Sequence, residues 1–290
     1  GGSPTRHGFD QHTLVMALFY LGIKAPPWLE TFGVPMFLSR RRLEKRRTLP
    51  RATTRWALDS GGFTELGQYG EWRLPTTDYI EQAKRYTAEI GLLDWMAPQD
   101  WMCEPSMIAK TGLDVPEHQR RTIRNFQELR QALGPLVIPV LQGWEPDDYL
   151  RCVDLYQHAG IDLTQEPTVG LGSVCRRHAD PEITRIIDSL QPLRLHAFGV
   201  KGTSYVNNCH LLVSADSMAW SRQAFFAPRL PECTHAAKQC WDCSRYALRW
   251  RKRLLDRTNQ PRLFPPPPST PPIDWDTTRK PLTPDLTGTT

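Results

Sequence analysis

The stretch 56–64 reads Trp-Ala-Leu-Asp-Ser-Gly-Gly-Phe-Thr and joins a short apolar run to a carboxylate and two glycines. The run predicts a buried strand that ends on Asp59, because Gly-Gly punctuates a strand. A strand of this kind holds its last side chain at the rim of a sheet, and glycines let a flat ligand approach the backbone. A simple turn that starts at Asp59 is the alternative that this stretch leaves open.

Seven further apolar runs predict strands, and most of them end on a polar residue or a glycine. These runs cover residues 14–23, 34–39, 92–100, 136–144, 168–174, 194–202 and 211–217. For residues 14–23 periodicity does not separate a strand from a short helix. Asp100, Gln142 and Asp216 lie at or near the ends of three of the runs, in the same relation to the strand as Asp59.

Helical spacing of apolar residues separates most of these strands, at 77–90, 118–133, 146–158 and 181–190. Strands that alternate with helices predict a parallel sheet covered by helices. Eight such units favour a (β/α)8 TIM barrel, in which the strand ends meet at one mouth. An open doubly wound sheet is the alternative, although no GxGxxG motif follows the first strand.

The composition sets limits on class and compartment. The 290 residues carry a net charge of +5 and seven cysteines, and they contain no long apolar run or signal peptide. An odd number of cysteines, several beside one histidine, favours a metal site in a reducing compartment over disulfides. We therefore expect a cytoplasmic protein, bacterial or phage-encoded in a host, that does not associate with a membrane and has an anionic partner available to it.

The most specific local motif follows the last predicted strand. Cys233-Thr-His235 and Cys240-Trp-Asp-Cys243 supply four nitrogen and sulfur ligands, the closed set typical of a structural zinc site. We expect Zn2+ to attach the basic helix that follows, residues 244–256, to the barrel. A chance cluster of free cysteines is the alternative.

Basic residues cluster before the Asp59 strand, at 40–55, and on the helix at 244–256. Such clusters form either a solvated face or a surface that binds phosphates. The division that the sequence predicts is an N-terminal extension at 1–13, a barrel at 14–257 with a zinc clip at 228–257, and a disordered tail at 258–290. Four consecutive prolines, 265–268, mark the tail.

Seven motifs in this order resemble the tRNA-guanine transglycosylase superfamily over residues 14–257, and most closely its deazapurine-in-DNA branch, the DpdA family. They are Leu-Asp-Ser-Gly-Gly-Phe (58–63), Asp-Trp-Met-Cys-Glu-Pro (100–105), Val-Leu-Gln-Gly (140–143), Val-Gly-Leu-Gly (169–172), Phe-Gly-Val (198–200), Ser-Ala-Asp-Ser-Met-Ala-Trp-Ser (214–221) and the zinc spacing. The tRNA enzymes commonly have Cys-x-Cys-x-x-Cys and a distant histidine. The different spacing here, and a chain that ends soon after the zinc motif, favour DNA over tRNA.

The resemblance implies a glycosyltransferase that exchanges guanine in DNA for a 7-deazaguanine such as 7-cyano-7-deazaguanine (preQ0). It implies Asp216 as nucleophile and Asp59 as the second catalytic carboxylate. The remaining expected residues fall into two groups. Base contacts are expected from Ser60, Gly61, Phe63, Asp100, Gln142, Gly170, Leu171 and Phe198, and nucleic-acid contacts from Arg176, Arg177, Lys201, Arg245 and Arg249.

The chemistry agrees with this assignment. Breaking the bond between C1′ and a purine develops positive charge on the sugar, which a carboxylate can trap as in a retaining glycosidase. A second carboxylate can move the proton of the base, and the base must leave its stack to reach it. Exchange on tRNA and a non-catalytic zinc-containing barrel that binds nucleic acid are the alternatives, and proteins of a modification system are possible partners.

Overall fold

The structure is a computed structural model that describes residues 17–175 and 180–258. The predicted N-terminal extension, the Pro-rich tail beyond Thr258, Arg176 and Arg177 lie outside the described residues. Within the described part, no helix combines the length and the apolar character that crossing a membrane requires.

One parallel eight-stranded sheet forms the centre of the protein, as the sequence predicts. Its strands are β1 Leu18–Ile23, β2 Met36–Ser39, β3 Trp56–Asp59, β4 Leu93–Met96, β5 Val140–Leu141, β6 Val169–Leu171, β7 Leu195–Ala197 and β8 Ser214–Ser217. Strands that are consecutive in the sequence pair with each other, except β4 and β5, and β1 also pairs with β8. The ends of the sheet, β4 and β5, meet through one bridge between Met96 and Val137. The sheet therefore curls into a barrel with one weak seam.

Ten α-helices surround the strands among the described residues. They are α1 Trp28–Thr31, α2 Gly62–Tyr69, α3 Thr76–Glu89, α4 Pro105–Thr111, α5 Val115–Leu133, α6 Pro146–His158, α7 Asp180–Ser189, α8 Gly202–Asn208, α9 Ala219–Phe226 and α10 Ser244–Thr258. The long helices agree with the predicted ranges to within a few residues. The short helices α2, α4, α8 and α9 were not predicted, because eight or fewer residues hold too few turns to show a period.

The first two units depart from the regular alternation of strand and helix. After β1 the chain forms only the four-residue α1, and after β2 only a 3-10 turn at Arg40–Arg42. β5 is also shorter than its apolar run, 136–144, because Gly134–Leu136 forms a second 3-10 turn. These short connections leave the mouth of the barrel open beside β1 and β2, where a cavity lies.

Aromatic side chains fill the interior of the barrel. Tyr20 and Trp95 belong to a small buried cluster against which Phe37 and Phe198 pack, separate from the larger cluster between sheet and helices. The centroid of the His196 ring lies 4.5 Å from that of Trp95 and 4.7 Å from that of Phe198. Rigid aromatic packing thus supports the strand ends that carry the candidate site.

Candidate active site

The turn after β3 is built as its glycines predict. Gly61 has φ +79°, a left-handed conformation that favours glycine, and a Cβ on Gly62 would lie 2.6 Å from the Met102 Cε atom. The buried Arg40 donates from Nε to the Ser60 carbonyl at 2.7 Å, which fixes the turn from below. Asp59, the last residue of β3, is therefore held in a fixed position and lines the cavity at the mouth of the barrel.

A buried chain of hydrogen bonds holds Asp100. Ser60 donates to Oδ1 at 2.9 Å, and Gln142 Nε2 donates to Oδ2 at 2.6 Å. The amide oxygen of Gln142 accepts from Ser173 at 2.7 Å, and Ser173 also lies 3.0 Å from Glu104 Oε2. The carboxylate and the amide that the sequence predicts to recognise a base are thus both fixed by one chain of hydrogen bonds within the protein itself.

Asp216 lies at the end of β8 and is held from β7. The Gly199 N–H donates to Oδ1 at 2.8 Å, and Nε2 of the fully buried His196 lies 3.4 Å from the same oxygen. Ser214 lies 2.8 Å from His196 Nδ1. If Ser214 donates that bond, the imidazole carries its proton on Nε2 and aims it at Asp216.

The two predicted catalytic aspartates meet. Asp59 and Asp216 both line a cavity of about 250 Å³ that Asp100, Gln142 and Phe198 also line. The same pair lines an adjoining cavity of about 530 Å³ on the side of β1 and β2. One side of the aspartate pair therefore faces the base-sized pocket, and another faces the open mouth beside β1 and β2.

Of the aromatic residues and the β6 residues predicted to contact the base, the aromatic ones line the cavity and the β6 ones do not. Phe63, in the first turn of α2, and Phe198, directly after β7, both line the 250 Å³ cavity. Gly170 and Leu171 lie within β6, and a Cβ on Gly170 would meet the Phe198 ring at 2.5 Å. The residue of this motif that lines the cavity is Gly172, where a Cβ would lie 2.3 Å from Gln142 Nε2.

The four ligands of the predicted metal site also come together. The ligand atoms of Cys233, His235, Cys240 and Cys243 all lie within 4.8 Å of one another. The separations are 3.5 Å for Cys233–Cys243, 3.8 Å for Cys233–Cys240 and 3.4 Å for Cys240–His235 Nε2. Tetrahedral Zn2+ with ordinary bond lengths requires sulfur–sulfur edges of about 3.8 Å and sulfur–nitrogen edges of about 3.6 Å. The cluster is therefore shaped to hold a metal ion.

The sequence profile of one protein family, DpdA (DeoxyPurine in DNA protein A), matches residues 15–268. The chain belongs to the DpdA family. The match supports a role in DNA modification of the transglycosylase type, in agreement with the resemblance seen in the sequence. A comparison with curated proteins found no match.

Electrostatics distinguishes the carboxylates of this DpdA-family site. Burial, together with the charge of the nearby Asp59, raises the pKa of Asp100 to about 7 against the hydrogen bonds from Ser60 and Gln142. Burial also raises the pKa of Asp59, while a hydrogen bond with Ser39 lowers it and the charge of Asp216 raises it. Buried carboxyl groups with a raised pKa are typical of sites that transfer protons.

Of the residues predicted to contact nucleic acid, some line a cavity and others are bound to a neighbouring protein group. Lys201 lines a third cavity, which reaches Asp216 from the side of α9 and α10. Arg245 and Arg249 instead contact Glu232, the first through the backbone carbonyl and the second through the carboxylate. Arg176 and Arg177 lie outside the described residues.

Several residues that support the site are given no individual role by the sequence. His196 and Ser214 lie within β7 and β8, and Glu104 and Ser173 lie in loops. The register of β7 against β8, which pairs His196 with Ser214, brings His196 beside Asp216. The positive φ of Ser173, +55°, is a conformation that sequence would assign to glycine.

Proposed function

We propose that the protein exchanges guanine in DNA for a 7-deazaguanine base such as 7-cyano-7-deazaguanine. The observation that carries the proposal is the shared cavity, in which two aspartates from β3 and β8 face a pocket lined by Asp100, Gln142 and Phe198. Family membership supports DNA as the substrate. The sugar of a flipped nucleotide would lie between the aspartates, with its base in the pocket.

In the first half-reaction the Asp216 carboxylate attacks C1′ and the bond between C1′ and guanine N9 breaks. The departing guanine takes a proton from Asp59, whose raised pKa favours the protonated acid. In the second half-reaction the incoming base returns its N9 proton to Asp59 and attacks C1′, which releases Asp216. The DNA strand stays intact because no phosphodiester bond takes part.

Base recognition follows from the acceptor groups of the pocket. An ionised Asp100 can accept the N1–H and N2–H donors of a guanine-type edge, with both oxygens already oriented by Ser60 and Gln142. Phe198 and Phe63 offer ring faces to the flat base. Adenine, whose corresponding edge lacks the N1–H donor, would leave the carboxylate unpaired.

Cys233, His235, Cys240 and Cys243 would hold Zn2+ as a structural ion, which would supply folding free energy to the segment between α9 and α10. The fit is supported by the ligand separations and by the Leu230 N–H, which lies 3.4 Å from Cys240 Sγ as a donor to a thiolate. α10 packs on α8 and α9 through Trp250 and Leu254, and residues of α10 line the cavity that reaches Asp216.

The decisive experiment incubates the protein with guanine-containing DNA and the deazaguanine, digests the product to nucleosides and detects the modified nucleoside by mass spectrometry. The proposal expects a modified nucleoside in DNA, none in tRNA, and none with Asp216→Asn. The matched control Asp147→Asn removes an exposed carboxylate on α6 and keeps full exchange. Product in tRNA alone, or DNA binding without product at any base, would overturn it.

A further inference from the structure

The strongest unexplained feature outside the pocket is a groove of about 1020 Å³ that leads from Asp216 to α10. Its lining includes four cations, Lys201, Arg222, Arg253 and Arg257, and the one carboxylate that lines it among the described residues is Asp216. Within the part of the chain that the structure describes, these four side chains form no ion pair. Here we call this feature the α10 groove.

A second basic surface adjoins Asp216 from the other side. The cavity beside β1 and β2 is lined by Lys24, Arg41, Arg42 and Lys45. Arg41 is bound to Glu65 at 2.6 Å, and Lys24 donates to Ser221 at 2.6 Å, whereas Arg42 and Lys45 are exposed. Here we call this cavity the β1–β2 groove.

Asp216 is thus the point at which three cavities meet: the base pocket and one basic groove on each side. A nucleotide whose sugar lies at Asp216 has one phosphate leading in each direction along its strand. Clustered arginine and lysine side chains attract such phosphates and release their counterions. The arrangement fits a single strand that enters by one groove and leaves by the other.

An exposed aromatic residue supports a single strand over a closed duplex. Phe226, at the end of α9, is 75% exposed and lines the α10 groove. Exposed rings beside a cationic track are the stacking platforms of proteins that bind single strands. A ring of this kind stacks on a base once that base has separated from its neighbour in the stack, which a single strand allows most readily.

Resting on the proposed function, we propose that the enzyme holds its target in a locally opened single DNA strand, with the flanking phosphates divided between the α10 groove and the β1–β2 groove. The four cations and Phe226 bind the strand on one side of the target guanine. Arg42 and Lys45 bind it on the other side. The zinc cluster keeps α10, and so the first groove, in position.

The test uses two single-stranded oligonucleotides that carry the target guanine with an extension on its 5′ side only or on its 3′ side only. Binding is followed by fluorescence anisotropy over a range of salt concentrations. The first variant is Arg222→Gln/Arg253→Gln/Arg257→Gln, and the second is Arg42→Gln/Lys45→Gln. Each removed phosphate contact should lower the slope of log K against log salt by about 0.7.

We expect each variant to weaken mainly one oligonucleotide, and the two variants to act on opposite extensions. Phe226→Ala should weaken the oligonucleotide of the α10 groove by about tenfold without changing the salt slope. The matched controls remove a cation from the same segments without touching a groove. Lys252→Gln on α10, where Lys252 pairs with Asp256, and Arg46→Gln should leave both slopes unchanged.

Equal effects of both variants on both oligonucleotides, or no effect, would overturn the strand path. Preference for an RNA strand of the same sequence would overturn its assignment to DNA. Binding is measured without the deazaguanine and in the Asp216→Asn background, so the result depends neither on exchange nor on a covalent complex. Groove-specific slopes without any exchanged base would refute the proposed function alone, and exchange with unaltered slopes would refute the grooves alone.

Discussion

Asp100→Asn tests whether the ionised Asp100 carboxylate, the proposed base-recognition group, lowers the free energy of unfolding. Burial and the neighbouring Asp59 raise the pKa of Asp100 from 3.8 to about 7 in the folded protein. A raised carboxyl pKa means that the ionised form destabilises the folded state. The penalty begins as the pH rises above the unfolded value of about 4 and is complete above about 7. At about 1.4 kcal/mol per pKa unit it reaches about 4 kcal/mol.

Asparagine keeps the shape of the side chain and cannot ionise, so it avoids this penalty. We expect the free energy of unfolding of Asp100→Asn, minus that of the unsubstituted protein, to increase by about 2–3 kcal/mol between pH 5 and pH 8. Urea unfolding at both pH values measures this difference directly. Asp147→Asn, on an exposed carboxylate, should show a difference that does not change with pH.

The same substitution should weaken base binding, because asparagine presents a donor where the base presents N1–H and N2–H. In the unsubstituted protein the dissociation constant of the deazaguanine should rise about tenfold for each pH unit below 7, as Asp100 takes up a proton. Titration calorimetry follows this dependence. A stability difference that stays flat with pH, together with pH-independent binding of the base, would refute the reasoning.

Four further outcomes follow from the site. Asp216→Asn should bind DNA normally and lose both exchange and the covalent protein–DNA complex that a denaturing gel detects when no incoming base is present. His196→Gln should lower kcat by up to about 100-fold with KM for DNA unchanged, because it displaces the nucleophile and not the substrate. Cys240→Ser should lower folded yield and the zinc content measured by atomic absorption, and unchanged melting after chelation would contradict the metal assignment. Gly172→Ala should weaken base binding in calorimetry, since its Cβ would displace the Gln142 amide.

The sequence predicts the barrel because the fold repeats one simple pattern. Long helices such as α5 and α6 show their period over several turns, and each strand is an apolar run with a polar or glycine end. The connections after β1 and β2 hold prolines and arginines that suit a loop or a helix end equally, so the sequence predicts no helix there and gives no indication of the short α1 or the 3-10 turn. Tertiary packing decides such cases.

The site was predictable where one residue type carries the chemistry. Asp59, Asp100 and Asp216 follow strands, and carboxylates at several strand ends of a barrel converge by topology. The assignment of Arg245 and Arg249 to nucleic acid rested on charge alone. Their contacts with Glu232 become visible only when α10 is placed beside the zinc segment. Charge in a sequence gives no information about which partner is nearest.

The local sequence around the two proposed catalytic aspartates does not distinguish them, since each ends a strand and precedes a serine. Their surroundings assign them different tasks. Asp216 accepts the Gly199 N–H, which orients its carboxylate, and His196 Nε2 lies 3.4 Å from the same oxygen. Asp59 is desolvated and lies near the charge of Asp216, so it retains a proton more readily. In the proposed mechanism, the contacts from β7 suit Asp216 to act as the nucleophile, and burial suits Asp59 to carry the proton.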